Sequence, residues 1–303
     1  LVGVFPGLVN APAELLALRD KPMGRTLTLL ILSNILLWLL FIHWRNRTEQ
    51  RAEGFDALVR ALTVERFFAG LERRPEPGAL VVVIPAYDEA ANLPEVLSRM
   101  PGEVAGAPVL PLVVDDGSRD GTPEKAAAAG ALVARHPMNR GGGAALKAGY
   151  DIALALDAAA VVTMDADGQH DPEAIAELAE PVLTDAADLV IGSRVLGGSD
   201  RYSTLRSLGV RLYNRVINAL LGTSITDCAS GFRAFNHRVL EDCRFAQEQY
   251  HTAELIIEAA KRGMRIVERP IHIHARLSGH SKKGRNLSYA LSFLRTILKT
   301  WLR

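Results

Sequence analysis

Cysteine is nearly absent. Cys228 and Cys243 are the only two in 303 residues, which excludes a disulfide framework and a cysteine-based zinc pattern and makes a reducing compartment the default. Net charge is nearly absent as well. The 35 basic and 34 acidic side chains leave a formal +1, which argues against a general nucleic-acid-binding surface. That balance is uneven along the chain. Residues 271–303 hold no Asp or Glu, while Arg276, Lys282, Lys283, Arg285, Arg295, Lys299 and Arg303 all fall there. Two nucleotide signatures are missing too. The glycine-rich stretch at 139–144 (NRGGGA) lacks the G-x-G-x-x-G spacing and following acid of a dinucleotide fold, and it lacks the lysine-serine ending of a P-loop. Hydride transfer and nucleotide hydrolysis therefore gain no support.

What the chain has in quantity is apolar surface, 49% of its residues. Residues 27–44 read LTLLILSNILLWLLFIHW, about the minimum length for a membrane span. Trp38 and Trp44 suit an interface, and Arg45, Arg47 and Arg51 follow at once. No small-residue cleavage site follows, so a signal peptide fits poorly. The sequence is thus expected to hold membrane segment(s) within 1–44. An amphipathic connecting helix is expected over 45–78, ending at the break of Pro75, Pro77 and Gly78. The basic flank places the chain beyond the span on the cytoplasmic side of a cell membrane, a weak assignment because Arg19, Lys21 and Arg25 precede the span.

From Ala79 the pattern becomes short β-branched runs alternating with helical stretches. Runs at 81–84, 109–114, 131–134, 161–164 and 189–191 are separated by segments such as 92–99 and 141–156. Strands spaced by helices imply βαβ units and a mainly parallel, Rossmann-like α/β sheet over 79–285. Ligands bind beyond the carboxyl ends of strands in such sheets, and four of those ends read PAYDE, DDGSRDGT, MDADGQH and GSR. Asp165 and Asp167 lie on one side of an extended segment, with Gln169 next on the same alternation. Carboxylates and amide oxygens suit Mg²⁺ or Mn²⁺ shared with substrate phosphates. Alone such a pair is a weak signal, since strand-end acids often only cap helices, as Asp171-Pro172 would here. The acids of 115–122 suit a base or ribose rather than phosphate, and equally suit a turn that opens a helix at Thr122-Pro123. Residues 286–303 place Leu287, Ala290, Leu291, Leu294, Ile297, Leu298 and Trp301 at helical spacing, as expected of a C-terminal amphipathic, membrane-proximal helix, though packing on the preceding domain fits the same spacing. His272 and His274 alternate in PIHIHAR, where solvent-facing strand polarity competes with metal binding.

Taken together, PAYDE (85–89), VDDGSRDGT (114–122), NRGGGAA (139–145), DADGQH (165–170), GSR (192–194), DCASGFRAF (227–235) and RLSGHSK (276–282) make this chain resemble glycosyltransferase family 2. Within it, the dolichyl- or polyprenyl-phosphate sugar synthases (dolichol-phosphate mannose synthase among them) are most similar, over about residues 80–283. The resemblance implies a GT-A fold. It implies that Pro85, Tyr87, Glu89, Val114 and Asp116 surround the nucleoside of a nucleotide-sugar donor such as GDP-mannose or UDP-glucose. It implies that Asp165, Ala166, Asp167 and Gln169 hold the metal and donor diphosphate. Arg194, Arg276 and Lys282 are implied at the phosphates. Arg206 would face the acceptor phosphate, with Arg194 and Ser281 beside it. Two positions depart from the pattern: Val210 stands where relatives often carry serine, and Ala229 where many carry threonine.

The chemistry has its own logic. A polyprenyl monophosphate, with a second pKa near 6, is already an anionic nucleophile at neutral pH. Cations that hold two anions together serve it better than a general base. The expected activity is inverting, metal-dependent transfer of one sugar (mannose or glucose) to a polyprenyl phosphate, with Asp167, Arg194, Arg206, Arg276 and Lys282 as the catalytic set. The alternatives are a family 2 transferase with a glycan or other non-lipid acceptor, and a non-catalytic nucleotide-sugar-binding membrane protein. The Q-x-x-R-W motif of processive polysaccharide synthases is absent from the sequence.

Overall fold

The computed structural model describes residues 23–200, 204–245, 251–278 and 287–303, together with Pro12 and Glu14. The chain divides into two compact units, Leu1–Ala57 and Leu58–Arg303.

Helix α1 runs without interruption over Gly24–Gly70, so the expected membrane segment and connecting helix form one element with no break at residue 44. Its first part is long and apolar enough to cross a membrane by length and composition. Leu36, Leu37, Trp38, Leu39, Leu40 and Phe41 are all exposed on it. Its last turns bury a single stripe, Val59, Thr63 and Phe67, at the four-residue spacing of one helix face.

The second unit is built on a sheet that has nine strands among the described residues. In chain order these are β1 (Leu80–Ala86), β2 (Glu103–Val104), β3 (Ala107–Asp115), β4 (Leu132–Arg135), β5 (Ala160–Thr163), β6 (Leu189–Ser193), β7 (Gly198–Ser199), β8 (Arg233–Asn236) and β9 (Ile266–Ile273). Their spatial order is β2-β3-β1-β5-β8-β6-β9-β7, with β4 paired to β3. Pairings β1–β3, β1–β5, β3–β4, β6–β9 and β7–β9 are parallel, whereas β8 runs antiparallel between β5 and β6.

The β1 run LVVVI shows no polar alternation because both of its faces are covered. Val81 and Val83 pack in one apolar cluster and Leu80, Val82 and Ile84 in the other. The connecting helices are α2 (Leu93–Ser98), α3 (Thr122–Ala128), α4 (Gly142–Ala155), α5 (Ile175–Leu183), the short α6 (Arg194–Gly197), α7 (Thr204–Leu221), α8 (His237–Asp242) and α9 (His251–Lys261). Helix α4 lies so close to β1 that a Cβ on Gly149 would come within 2.3 Å of Val83 Cγ1 and 3.3 Å of Val114 Cγ2.

A last helix, α10 (Leu287–Leu302), packs onto this unit. Phe293 and Ile297 are buried in its core, and the Phe293 ring lies 4.4 Å from that of Tyr213. Arg303 pairs with Glu254 and Glu258 of α9 at 2.9 and 3.2 Å. Leu298, Trp301 and Leu302 remain exposed.

Candidate active site

The parallel strands deliver their carboxyl ends to one edge of the sheet, and the loops leaving them are laced together. Asp88 N donates to Ser118 Oγ, Glu89 N to Thr122 Oγ1 and Ala90 N to Asp120, while Arg119 N returns a bond to Asp88 Oδ1. The loop after β3 needs glycine at one point. Gly117 has φ +78, and a Cβ there would sit 2.8 Å from Asn139 N, so only glycine lets this loop lie against residues 138–139.

Asp116 is 2% exposed. Its carboxylate accepts from Arg140 N and Gly141 N at 2.8 and 2.7 Å and lies 2.9 Å from His136 Nδ1, so it shapes the glycine-rich entry to α4. Tyr87, Gly117, Ser118, Arg119, Arg135 and His136 line a cavity of about 730 Å³ beside it.

Three of the expected donor-site residues meet across the strand ends. The Arg276 guanidinium donates to Asp167 Oδ2 at 2.7 Å and to Glu89 Oε1 at 3.2 Å. Asn92 holds the other Glu89 oxygen at 2.6 Å and accepts from Ser278 Oγ at 2.6 Å. The segment 276–278 is thereby docked on the β1 loop, and Leu277 N reaches Asp167 O. In the loop after β5, Gln169 N donates to Asp167 Oδ1 and Gln169 Nε2 to His274 O. His170 accepts from Asp165 N and stacks on Phe232 at 4.8 Å. Asp165, Asp167 and Gln169 make an all-oxygen set on one short loop.

Arg194 opens α6. Its Nε and Nη2 grip Asp227 at 2.7 and 2.8 Å, and its backbone N adds a third bond at 3.1 Å. Asp227 is wholly buried. The loop carrying it is fixed from below, since Glu268 of β9 accepts from Thr226 N and Asp227 N. Arg233, also buried, donates to the carbonyls of Ser230, Thr252 and Cys228, and burial pulls its pKa down to about 10. Glu268 does not stand out in sequence as a site residue. Asp227 and Arg233 both lie inside the DCASGFRAF motif, which is the one signal that could have found them.

Val114, the penultimate residue of β3, is fully buried, with its Cγ2 toward Gly149 of α4. Ala166 is buried. Pro85 is paired with Val114 in the β1–β3 ladder, half-buried. Val210, at the position of the family serine, is buried in α7. The Arg206 side chain, Ser281 and Lys282 lie outside the described residues.

The model of the family described as glycosyl transferase family 2 matches residues 81–244. The polyprenol monophosphomannose synthase of Mycolicibacterium smegmatis is 38% identical over 232 residues, which cover 70% of this chain and 83% of that protein. The undecaprenyl-phosphate mannosyltransferase of Micrococcus luteus is 35% identical, over 67% of this chain and 86% of that protein. Among solved structures, glucosyl-3-phosphoglycerate synthase from Mycobacterium tuberculosis in complex with Mn²⁺ and UDP-glucose matches with a TM-score of 0.58 at 25% identity, over 79% of this chain and 80% of that one.

Proposed function

The chain belongs to glycosyl transferase family 2, and from that membership we propose that it moves one sugar, mannose or glucose, from GDP-mannose or UDP-glucose to a polyprenyl phosphate at the cytoplasmic face of a cell membrane. The observation that carries this reading is the bridge in which Arg276 joins Glu89 to Asp167. A guanidinium is stationed at the strand ends, where a donor diphosphate has to be bound and its leaving charge met.

An oxygen of the acceptor phosphate forms a bond to the anomeric carbon as the bond from that carbon to the diphosphate oxygen breaks. The electron pair leaves with the nucleoside diphosphate, and attack from the opposite face inverts the centre. No general base is required, because the acceptor is already an anion at neutral pH. Asp165, Asp167 and Gln169 offer only oxygens, a set that fits Mg²⁺ or Mn²⁺ rather than a thiophilic ion. When bound, that cation supplies charge neutralisation of the diphosphate. Arg276 then exchanges its two carboxylates for donor phosphate. Arg194 is locked in direction by Asp227, and with Arg206, Ser281 and Lys282 it positions the two anionic groups.

The relatives named for polyprenol and undecaprenyl phosphate support a lipid acceptor. The exposed apolar run of α1 supports the membrane. Leaving Leu36, Leu37, Trp38, Leu39, Leu40 and Phe41 in water forgoes on the order of 10 kcal/mol of apolar burial.

The experiment is transfer of radiolabelled sugar to undecaprenyl phosphate from a panel of UDP- and GDP-sugars, with Mn²⁺ or EDTA. One donor should give a lipid-extractable product that EDTA abolishes and that Arg276→Ala reduces at least 100-fold. Metal-dependent nucleotide binding with no lipid product from any donor rejects the lipid acceptor. In that case a product on a glycan acceptor identifies a different family 2 transferase, and binding with no turnover on any acceptor identifies a non-catalytic binder.

A further inference from the structure

The two histidines of PIHIHAR take no part in the chemistry above. His272 lies on β9 and His274 just beyond its end, and both meet Asp200, the residue that comes directly after β7. His272 Nε2 is 2.6 Å from Asp200 Oδ1 and His274 Nδ1 is 3.8 Å from Oδ2. One ligand atom from each of the three falls within 4.8 Å of the others.

We propose that Asp200, His272 and His274 form a second metal site, built for a borderline transition cation of the Zn²⁺ class and separate from the all-oxygen set at Asp165, Asp167 and Gln169. Two imidazoles and one carboxylate are the donor chemistry of Zn²⁺ and its neighbours in the first transition row, whereas Mg²⁺ takes oxygen alone. Tetrahedral bonds of about 2.0–2.1 Å place ligand atoms about 3.3 Å apart. The present spread closes to that value by side-chain rotation, since all three groups are between 42% and 46% exposed.

The backbone beneath is already fixed. Gly198 pairs with His272 in the β7–β9 ladder. Asp200 N donates to Ile273 O at 3.0 Å, and Ala275 N donates to Asp200 Oδ2 at 2.9 Å. A carboxylate also stands behind one imidazole, with Asp171 Oδ2 3.9 Å from His274 Nε2. That separation is too long for a hydrogen bond and closes to one only as the half-exposed imidazole turns. A carboxylate on the second ring nitrogen is the usual means of setting the tautomer and direction of a metal-binding histidine.

Three protein ligands leave one coordination position facing solvent, where water completes the tetrahedron. The bound cation ties β7 to the end of β9. His274 N in turn bonds Gln169 O, so the tie extends to the loop that carries Asp165 and Asp167.

The test uses the full chain in detergent, stripped with chelator and titrated with Zn²⁺ under excess Mg²⁺. Co²⁺ serves as a spectroscopic probe of coordination. A single tight Zn²⁺ and intense tetrahedral Co²⁺ bands are expected. Both should disappear in the double variant H272A/H274A and in D200N, and both should persist in D167N. D171N should weaken Zn²⁺ about 10-fold. Zn²⁺ should raise the melting temperature of the native chain and leave that of the double variant unmoved. Equal zinc stoichiometry in the native chain and the double variant overturns the proposal, as does binding that D167N abolishes, since the ion would then belong to the acidic loop. If the double variant does not fold, D200N alone decides, because it removes only a half-exposed carboxylate.

Discussion

Replacing Asp227 with alanine tests the arrangement most directly. Arg194 gives this carboxylate three hydrogen bonds of 2.7–3.1 Å, and the Asp227 side chain has no solvent access while that of Arg194 keeps 15%. Removing one partner of a buried pair costs about 3–5 kcal/mol, because the other charge is stranded. The residual exposure of Arg194 lets water recover part of that loss, so about 3 kcal/mol is expected. For a unit of this size, about 2–4 °C of melting temperature is lost per kcal/mol, so D227A should melt about 6–12 °C lower. Thermal unfolding followed by circular dichroism measures it, with R194A and the double variant completing a cycle. The double variant strands no charge, so a coupling energy of about 2 kcal/mol is expected between the two sites. Transfer should also fall about 100-fold in D227A, since a guanidinium free to turn no longer holds its phosphate in line. Additivity within about 0.5 kcal/mol across the cycle would show that the pair is incidental and refute the clamp.

Three further outcomes are expected from the packing and charge. The Arg265 side chain and backbone hold the Asp188 carboxyl below the usual carboxylate range. A depressed folded-state pKa contributes stability that is present above the unfolded value of about 3.9 and is lost as pH falls from there through the folded value, so D188N should flatten the decline of the urea midpoint below about pH 4. Burial pushes the thiols of Cys228 and Cys243 up to about 12. Neither should react with a thiol reagent at about pH 8 in the folded chain, and both should react once it is denatured. Gly149→Ala drives a methyl into Val83, a side chain stiff at χ1, and should cost about 1–3 kcal/mol by chemical denaturation.

The sequence by itself determined the local elements and the chemistry at their ends. Each apolar run from Ala79 to Ile191 became a strand within two residues of the expected limits, because a β-branched run covered on both faces is specified by its own composition. The acids and glycines after β1, β3 and β5 were legible for the same reason: strand-end position is a local property. Only the tertiary structure decided what those ends touch. Arg276 meets Asp167 from 109 residues away and Glu89 from 187. His272 meets Asp200 from 72 away, and Glu268 braces a loop some 40 residues upstream. Strand β8 (RAFN) carries no β-branched run to announce it, yet it enters antiparallel between β5 and β6, and the loop before it carries the Asp227 that holds Arg194. Hydrophobic periodicity encodes which face of an element is buried. It does not encode which element lies beside it, and the ion pairs of this site exist only between elements.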